Sequence, residues 1–189
     1  MYKQSKNPKV NYSLSLLSDT LFELLKTRKF ESITISELCD KSGVSRKTFY
    51  RNCFVKQDLV IYKTEKIINE LYATIDWDNM NKKMLYENFF RFFNAYRDFL
   101  SILNKENMFD YLVKTVIDTC FQNDNYEFLN SFLKDKDHAE TLRSYYHVHS
   151  TGSICAVLQK WTANSFSDPV DDLVEVLMCL SPTVSLNPH

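Results

Sequence analysis

An all-α fold of about nine helices is what this sequence predicts, and three observations carry the expectation. Glycine and proline number only two and four in 189 residues, too little turn punctuation for a sheet protein of this length. Apolar residues recur at spacings of three and four through most of the chain, and no segment reads as a strand. Hydrophobic residues make up 44% and aromatic residues 14%, ample for a sizeable helical core.

The elements follow in order. Leu14, Leu17, Leu21, Leu24 and Leu25 form one apolar stripe on a helix from about Ser13 to Arg28, with Phe30 and Ile33 anchoring the connection after it. Thr34-Ile35-Ser36-Glu37 has the form of a capping box, in which the Thr34 hydroxyl accepts from a backbone N–H and Glu37 reaches back to the Thr34 N–H. The short helix it opens carries Ile35, Leu38 and Cys39 on its apolar face and ends at Gly43, which takes the left-handed conformation at little cost. Ser45 caps the next helix, which runs to Asn52 with Val44 and Phe49 inward. A longer helix from Lys56 to about Thr74 buries Leu59, Tyr62, Ile67 and Leu71, and WDNMN at 77–81 breaks the chain.

Lys82–Leu103 is predicted as one aromatic-rich helix, followed by helices over Met108–Phe121 and Tyr126–Leu133. One long helix is expected over Asp137–Phe166, with Gly152 near its middle. Asp168-Pro169 has the form of a helix start, and the last helix takes Val170, Leu173, Val174, Leu177 and Leu180. The expected division is a DNA-binding domain over 10–55, a helical effector-binding and dimerisation domain over 56–181, and a disordered tail over 182–189.

Charge is unevenly spread. Residues 1–65 hold twelve Lys and Arg against seven Asp and Glu, whereas the remainder holds eleven against seventeen. A basic first third on an acidic body suggests a polyanionic partner for that third. No apolar run is long enough to span a membrane, and the polar start MYKQSKNPKVNYS lacks the apolar centre of a signal peptide. Cys39, Cys53, Cys120, Cys155 and Cys179 are odd in number and widely spaced, which fits reduced thiols in a cytoplasmic protein better than a disulfide frame or a zinc site.

The basic charge concentrates in KSGVSRKTFYRN, residues 41–52. A capped short helix, a glycine turn and a second short helix rich in Arg, Lys and Thr make a helix-turn-helix, spanning about residues 34–53. A helix fits the major groove and offers its N-terminal residues to base edges. Arg46, Lys47, Thr48, Arg51 and Asn52 are expected outward, with Arg or Lys on guanine, Thr48 on a thymine methyl and Asn52 on adenine. Thr34, Ser45, Tyr50 and Lys56 complete the expected DNA-binding set, Tyr50 and Lys56 at phosphates. Lys56 also opens the fourth helix, whose N-terminal amides attract a phosphate oxygen. The competing reading is a solvated basic face on a three-helix bundle.

ITISELCDKSGVSRKTFYRNCFVKQDLV, residues 33–60, resembles the N-terminal domain of TetR-type transcriptional regulators. The match rests on Thr34, Ser42-Gly43-Val44-Ser45, Thr48-Phe49-Tyr50, Lys56 and Leu59, within about residues 12–62. The long helix with Gly152, Leu158 and Trp161 and the proline-started last helix are similar to the C-terminal pair of that family. The resemblance implies an all-helical homodimer that binds a palindromic operator in double-stranded DNA and is released by a small-molecule effector. It departs at Cys53, Phe54 and Val55, where the family has an aromatic residue; a one-residue shift would put Phe54 in that slot.

In the body, Phe89, Phe93, Tyr96, Tyr111, Phe121, Tyr145 and His149 are expected around a pocket for an apolar or aromatic effector, against the alternative that the aromatics are core. Ile154, Val157, Leu158, Trp161, Leu173, Val174 and Leu177 are expected at the dimer interface, with Gly152 allowing close helix approach. His147 and His149, two apart on a helix, point in different directions and make no shared metal site. No phosphate loop, HExxH or GxSxG pattern occurs, so neither an enzyme nor a cofactor is expected. Cys53 beside Arg51 reads either as an activated, redox-sensitive thiol or as a small buried apolar residue, the latter being the stronger reading. A sequence-specific DNA-binding regulator, in most of the family a repressor, is therefore the leading function. A helical protein-interaction module, or a regulator controlled by a partner protein, is the alternative.

Overall fold

The computed structural model describes residues 7–76, 80–122 and 133–179, with side chains at all of these except 120–122. Among the described residues there are nine α-helices and no strand. They are α1 (Pro8–Leu25), α2 (Ile35–Ser42), α3 (Arg46–Asn52), α4 (Gln57–Ala73), α5 (Lys82–Asn94), α6 (Arg97–Lys105), α7 (Phe109–Gln122), α8 (Ala139–Ala163) and α9 (Val170–Cys179). A 3-10 turn at Phe30–Ser32 joins α1 to α2. The expected helix over Tyr126–Leu133 and the tail over 182–189 lie outside the described residues, apart from Leu133.

The head is a three-helix unit. Leu14, Leu17, Leu21 and Leu25 of α1 are buried with Leu38 of α2 and Phe49 of α3, and α1 packs against both short helices. α1 begins earlier than expected, because the Asn7 side chain caps it by accepting from the Lys9 N–H (3.0 Å) and Pro8 has the backbone angle a first helical residue needs. The Thr34 hydroxyl caps α2 by accepting from the Glu37 N–H (3.2 Å). Only this half of the expected capping box forms. The Glu37 carboxylate instead accepts from Arg28 (2.5 Å) and pairs with Lys41 (3.4 Å), tying the end of α1 to α2.

Gly43 closes α2 at φ +71°, the left-handed conformation. A Cβ built there meets nothing within 4 Å, so an alanine would be opposed by backbone conformation alone. Gly43→Ala should lower stability by about 1 kcal/mol, read as an unchanged urea m-value with a lower midpoint.

α4 carries the head into the body, packing on both α1 and α7. The buried Ser18 hydroxyl of α1 donates to the Leu59 carbonyl of α4 (3.0 Å). α6 makes a second junction: Glu106 Oε2 accepts from the Phe30 N–H (2.9 Å), and Phe22 of α1 meets Phe99 of α6 at 5.2 Å between ring centres. One apolar cluster runs from Leu14 through to Leu177, so head and body share a continuous core.

The expected single helix over Lys82–Leu103 is two. α5 closes through Ala95 N–H to Phe92 and Tyr96 N–H to Phe93 carbonyl bonds, and α6 turns away to pack on α8. The break sets Tyr96 on Phe92 (4.8 Å, stacked) with its hydroxyl donating to Glu70 of α4 (2.6 Å). That bond, with burial and the carboxylate's charge, pushes the Tyr96 phenol up to about 12. A tyrosine in the unfolded chain ionises near 10, so below that pH the folded state keeps its full advantage from this group. The advantage disappears as the pH rises from about 10 to about 12. Tyr96→Phe should therefore flatten the alkaline fall in stability across that window, followed by denaturant midpoints against pH.

α8 and α9 close the body, α8 on α6 and α7, and α9 on α5. α8 is trimmed at both ends relative to expectation, and α9 begins at Val170 just after Pro169. The turn between them has Ser165 and Phe166 at positive φ and is held by the Trp161 indole N–H donating to the Asp168 carbonyl (2.9 Å).

Candidate nucleic-acid interface

The head places a short rigid helix on the surface. The Ser45 hydroxyl accepts from the Thr48 N–H (3.2 Å) and lies 3.0 Å from the Thr48 hydroxyl, fixing the first turn of α3. Phe49 is fully buried and Val44 nearly so, which locks the rotation of α3 about its own axis. Arg46, Lys47, Tyr50 and Arg51 are consequently exposed, with Thr48 half-buried and Thr34 and Ser45 exposed at the two caps. Arg46, Lys47 and Arg51 take part in no ion pair among the described residues. Tyr50 packs edge-on against Phe49 (5.3 Å) and keeps its outer part in solvent.

Two members of the expected set face elsewhere. Asn52 is only 6% exposed, and its amide donates to the Thr48 carbonyl one turn back (2.9 Å), so it ends α3 and does not face outward to read adenine. Lys56 turns inward too. Its ammonium donates to the carbonyls of Ile33 (2.7 Å) and Phe30 and sits over the Phe30 ring at 4.3 Å. Burial pushes its pKa down from the ordinary lysine value. Lys56 thus closes the 3-10 turn and is not free to hold a phosphate. The amides before α4 are taken as well: Phe54 N–H (2.8 Å) and Val55 N–H (3.3 Å) both donate to Asp58 Oδ2, and Asp58 is 1% exposed.

The departure around Cys53 resolves in favour of Cys53. Its thiol fills the buried slot, with the Cys53 N–H donating to the Phe49 carbonyl (2.7 Å), while Phe54 points to solvent. Burial, reinforced by the Asp58 charge, pushes the Cys53 thiol up to about 12, so the activated-thiol reading does not hold.

The body residues expected at an effector pocket do not converge. Phe89 and Phe93 are buried and pack on each other at 4.9 Å; Tyr96 and Tyr111 are half-buried; Tyr145 and His149 are exposed on α8. The Phe121 side chain lies outside the described residues. The aromatic stripe of α5 is therefore mainly core: Phe90 packs edge-on against Trp161 (5.9 Å) and Phe89 (5.5 Å). A groove between α5 and α9 is lined instead mostly by charged groups, Lys83, Glu87, Arg91, Asp171 and Glu175, together with Val174 and Met178.

The expected dimer residues are also spent within the chain. Ile154, Leu158, Trp161, Val174 and Leu177 are buried, and Val157 and Leu173 partly so, against the rest of the body. The residues α8 leaves exposed include Leu142, Tyr145, Val148, His149 and Ala156, with Gly152 half-buried, together with polar residues such as Thr141, Ser153 and Lys160. A Cβ built at Gly152 meets nothing within 4 Å, so no close helix approach inside the chain requires this glycine.

No protein-family model and no curated protein matches this chain. Among solved structures it is similar to Lin0861 from Listeria innocua, at 17% identity and a TM-score of 0.69, covering 94% of this chain and 93% of that one. That likeness establishes a shared all-helical fold. Among the described residues no helix is long and apolar enough to cross a membrane.

Proposed function

We propose that this protein is a cytoplasmic, sequence-specific DNA-binding regulator of the TetR type, acting as a homodimer on a near-palindromic operator. The observation that carries the reading is the locked α3, with Arg46, Lys47 and Arg51 exposed around a buried Phe49 and in no ion pair among the described residues. Such a helix supplies what the major groove demands: a rigid rod, guanidinium groups for guanine edges and cations for phosphates. Thr48 lies on the same first turn, and Tyr50, Thr34 and Ser45 border it.

The exposed face of α8 is the surface proposed for the second copy. The spacing of Leu142, Tyr145, His149, Gly152 and Ala156 by threes and fours makes one continuous stripe, as a helix–helix contact between copies needs. Two heads held that way would meet successive major grooves about 34–36 Å apart. The resemblance further implies repression, relieved by an apolar or aromatic effector bound in the body. Effector and operator affinities would then be linked by a coupling of about 1–3 kcal/mol.

Selection of bound sites from random duplexes tests the reading. Enriched sequences should show two inverted half-sites about one helical turn apart, centre to centre. Enrichment of no sequence, or of a single unrepeated half-site, would contradict it.

A further inference from the structure

Directly after α3 the chain exposes two large apolar side chains in succession, Phe54 at 64% and Val55 at 47%. Single exposed apolar residues are ordinary on a protein surface. This pair differs in two respects. It is held rigidly, since both backbone N–H groups donate to the buried Asp58 carboxylate and Cys53 is pinned in the core just before it. It also follows directly on α3, where Tyr50 is 59% exposed and Arg51 makes no ion pair among the described residues. A fixed apolar knob close in sequence to the exposed Arg51 guanidinium complements a surface that is itself apolar and edged with negative charge.

The wall of a DNA groove is such a surface: deoxyribose rings between phosphates. The first turn of α3 is the part suited to base edges, and Phe54 and Val55 follow the end of the helix at Asn52, after the turns that would read bases. We infer that Phe54, with Val55 beside it, packs on deoxyribose of the operator backbone and adds an apolar, salt-independent contact to DNA binding. The inference rests on the DNA-binding reading proposed above. It also gives Phe54 a role in place of the aromatic core slot, which Cys53 occupies.

The test uses the full chain and a duplex selected by it, with affinity measured by fluorescence anisotropy from low to moderate salt. Phe54→Ser should weaken binding roughly tenfold at every salt concentration, leaving the slope of log affinity against log salt unchanged. Phe54→Leu should keep most of the affinity, and both variants should melt as the parent does, because the side chain they alter is exposed. Arg51→Ala, by contrast, should make the slope less steep by about 0.9 for each phosphate that the guanidinium neutralises. Replacing thymine by uracil in the duplex, which removes only the base methyl, should leave the effect of Phe54→Ser intact.

If Phe54→Ser binds as tightly as the parent while Arg51→Ala still changes the slope, the apolar contact is wrong and the DNA-binding reading stands. If the uracil duplex abolishes the difference between parent and Phe54→Ser, the contact is to a base and the deoxyribose assignment is overturned. If the parent shows no salt-dependent binding at all, the DNA-binding reading fails and this inference with it.

Discussion

Phe49→Ala should cost about 3–5 kcal/mol, a large part of the stability of a domain this size. Phe49 is fully buried among the α1 leucines, Leu38 and Val44, and it orients α3. Truncating it leaves a cavity at the centre of the head, where three short elements have little other material with which to fill it. The loss should register as a markedly lower denaturant midpoint and as disappearance of specific duplex binding, although the side chain itself never reaches solvent. Phe49→Leu, which retains most of the volume, should recover much of both. An Ala variant with unchanged midpoint would mean that α3 is not anchored as described.

Trp161→Ala should destabilise the body by a similar amount, about 3–5 kcal/mol, and it separates two roles for this residue. The indole is buried against Phe90 (5.9 Å) and Phe166 (5.0 Å), lies beneath the Arg97 guanidinium, and donates to the Asp168 carbonyl. These contacts are all within one chain. The loss should therefore appear at every protein concentration, by thermal melting over a wide dilution series. Were Trp161 an interface residue, the loss would instead shift with concentration and sedimentation would show dissociation. Tyr145→Ala on the outer face of α8 should do the reverse, weakening self-association with little effect on the melting of the single chain.

Much of the head is legible in the sequence because its determinants are local. Thr34, Gly43 and Ser45 act on backbone groups within a few positions of themselves, so sequence spacing alone places α2, the turn and α3. Asn52 misleads because a local competitor, the Thr48 carbonyl, claims its amide. Lys56 misleads for the opposite reason: its partners Phe30 and Ile33 lie 26 and 23 positions upstream and meet it only once the chain folds. Periodicity marks the body helices but does not say which neighbour each apolar face will find. Hence α8's Ile154, Leu158 and Trp161 look available to a second copy when the rest of the body already covers them, Trp161 under Phe90 of α5. The break at Ala95–Tyr96 carries neither glycine nor proline; it is held by Tyr96 on Phe92 and Glu70 and by the Arg97 guanidinium donating to Asn94 Oδ1 across it.

On the proposed function, α3 delivers Arg46, Lys47 and Arg51 to duplex DNA. Its most direct test compares the salt dependence of duplex binding for the parent with that of a variant carrying alanine at all three positions. The parent should show a steep negative slope, and the variant should bind weakly with a slope shallower by about 0.9 for every phosphate those side chains held. Equal slopes and affinities for the two proteins, or a parent indifferent to duplexes even at low salt, would contradict it.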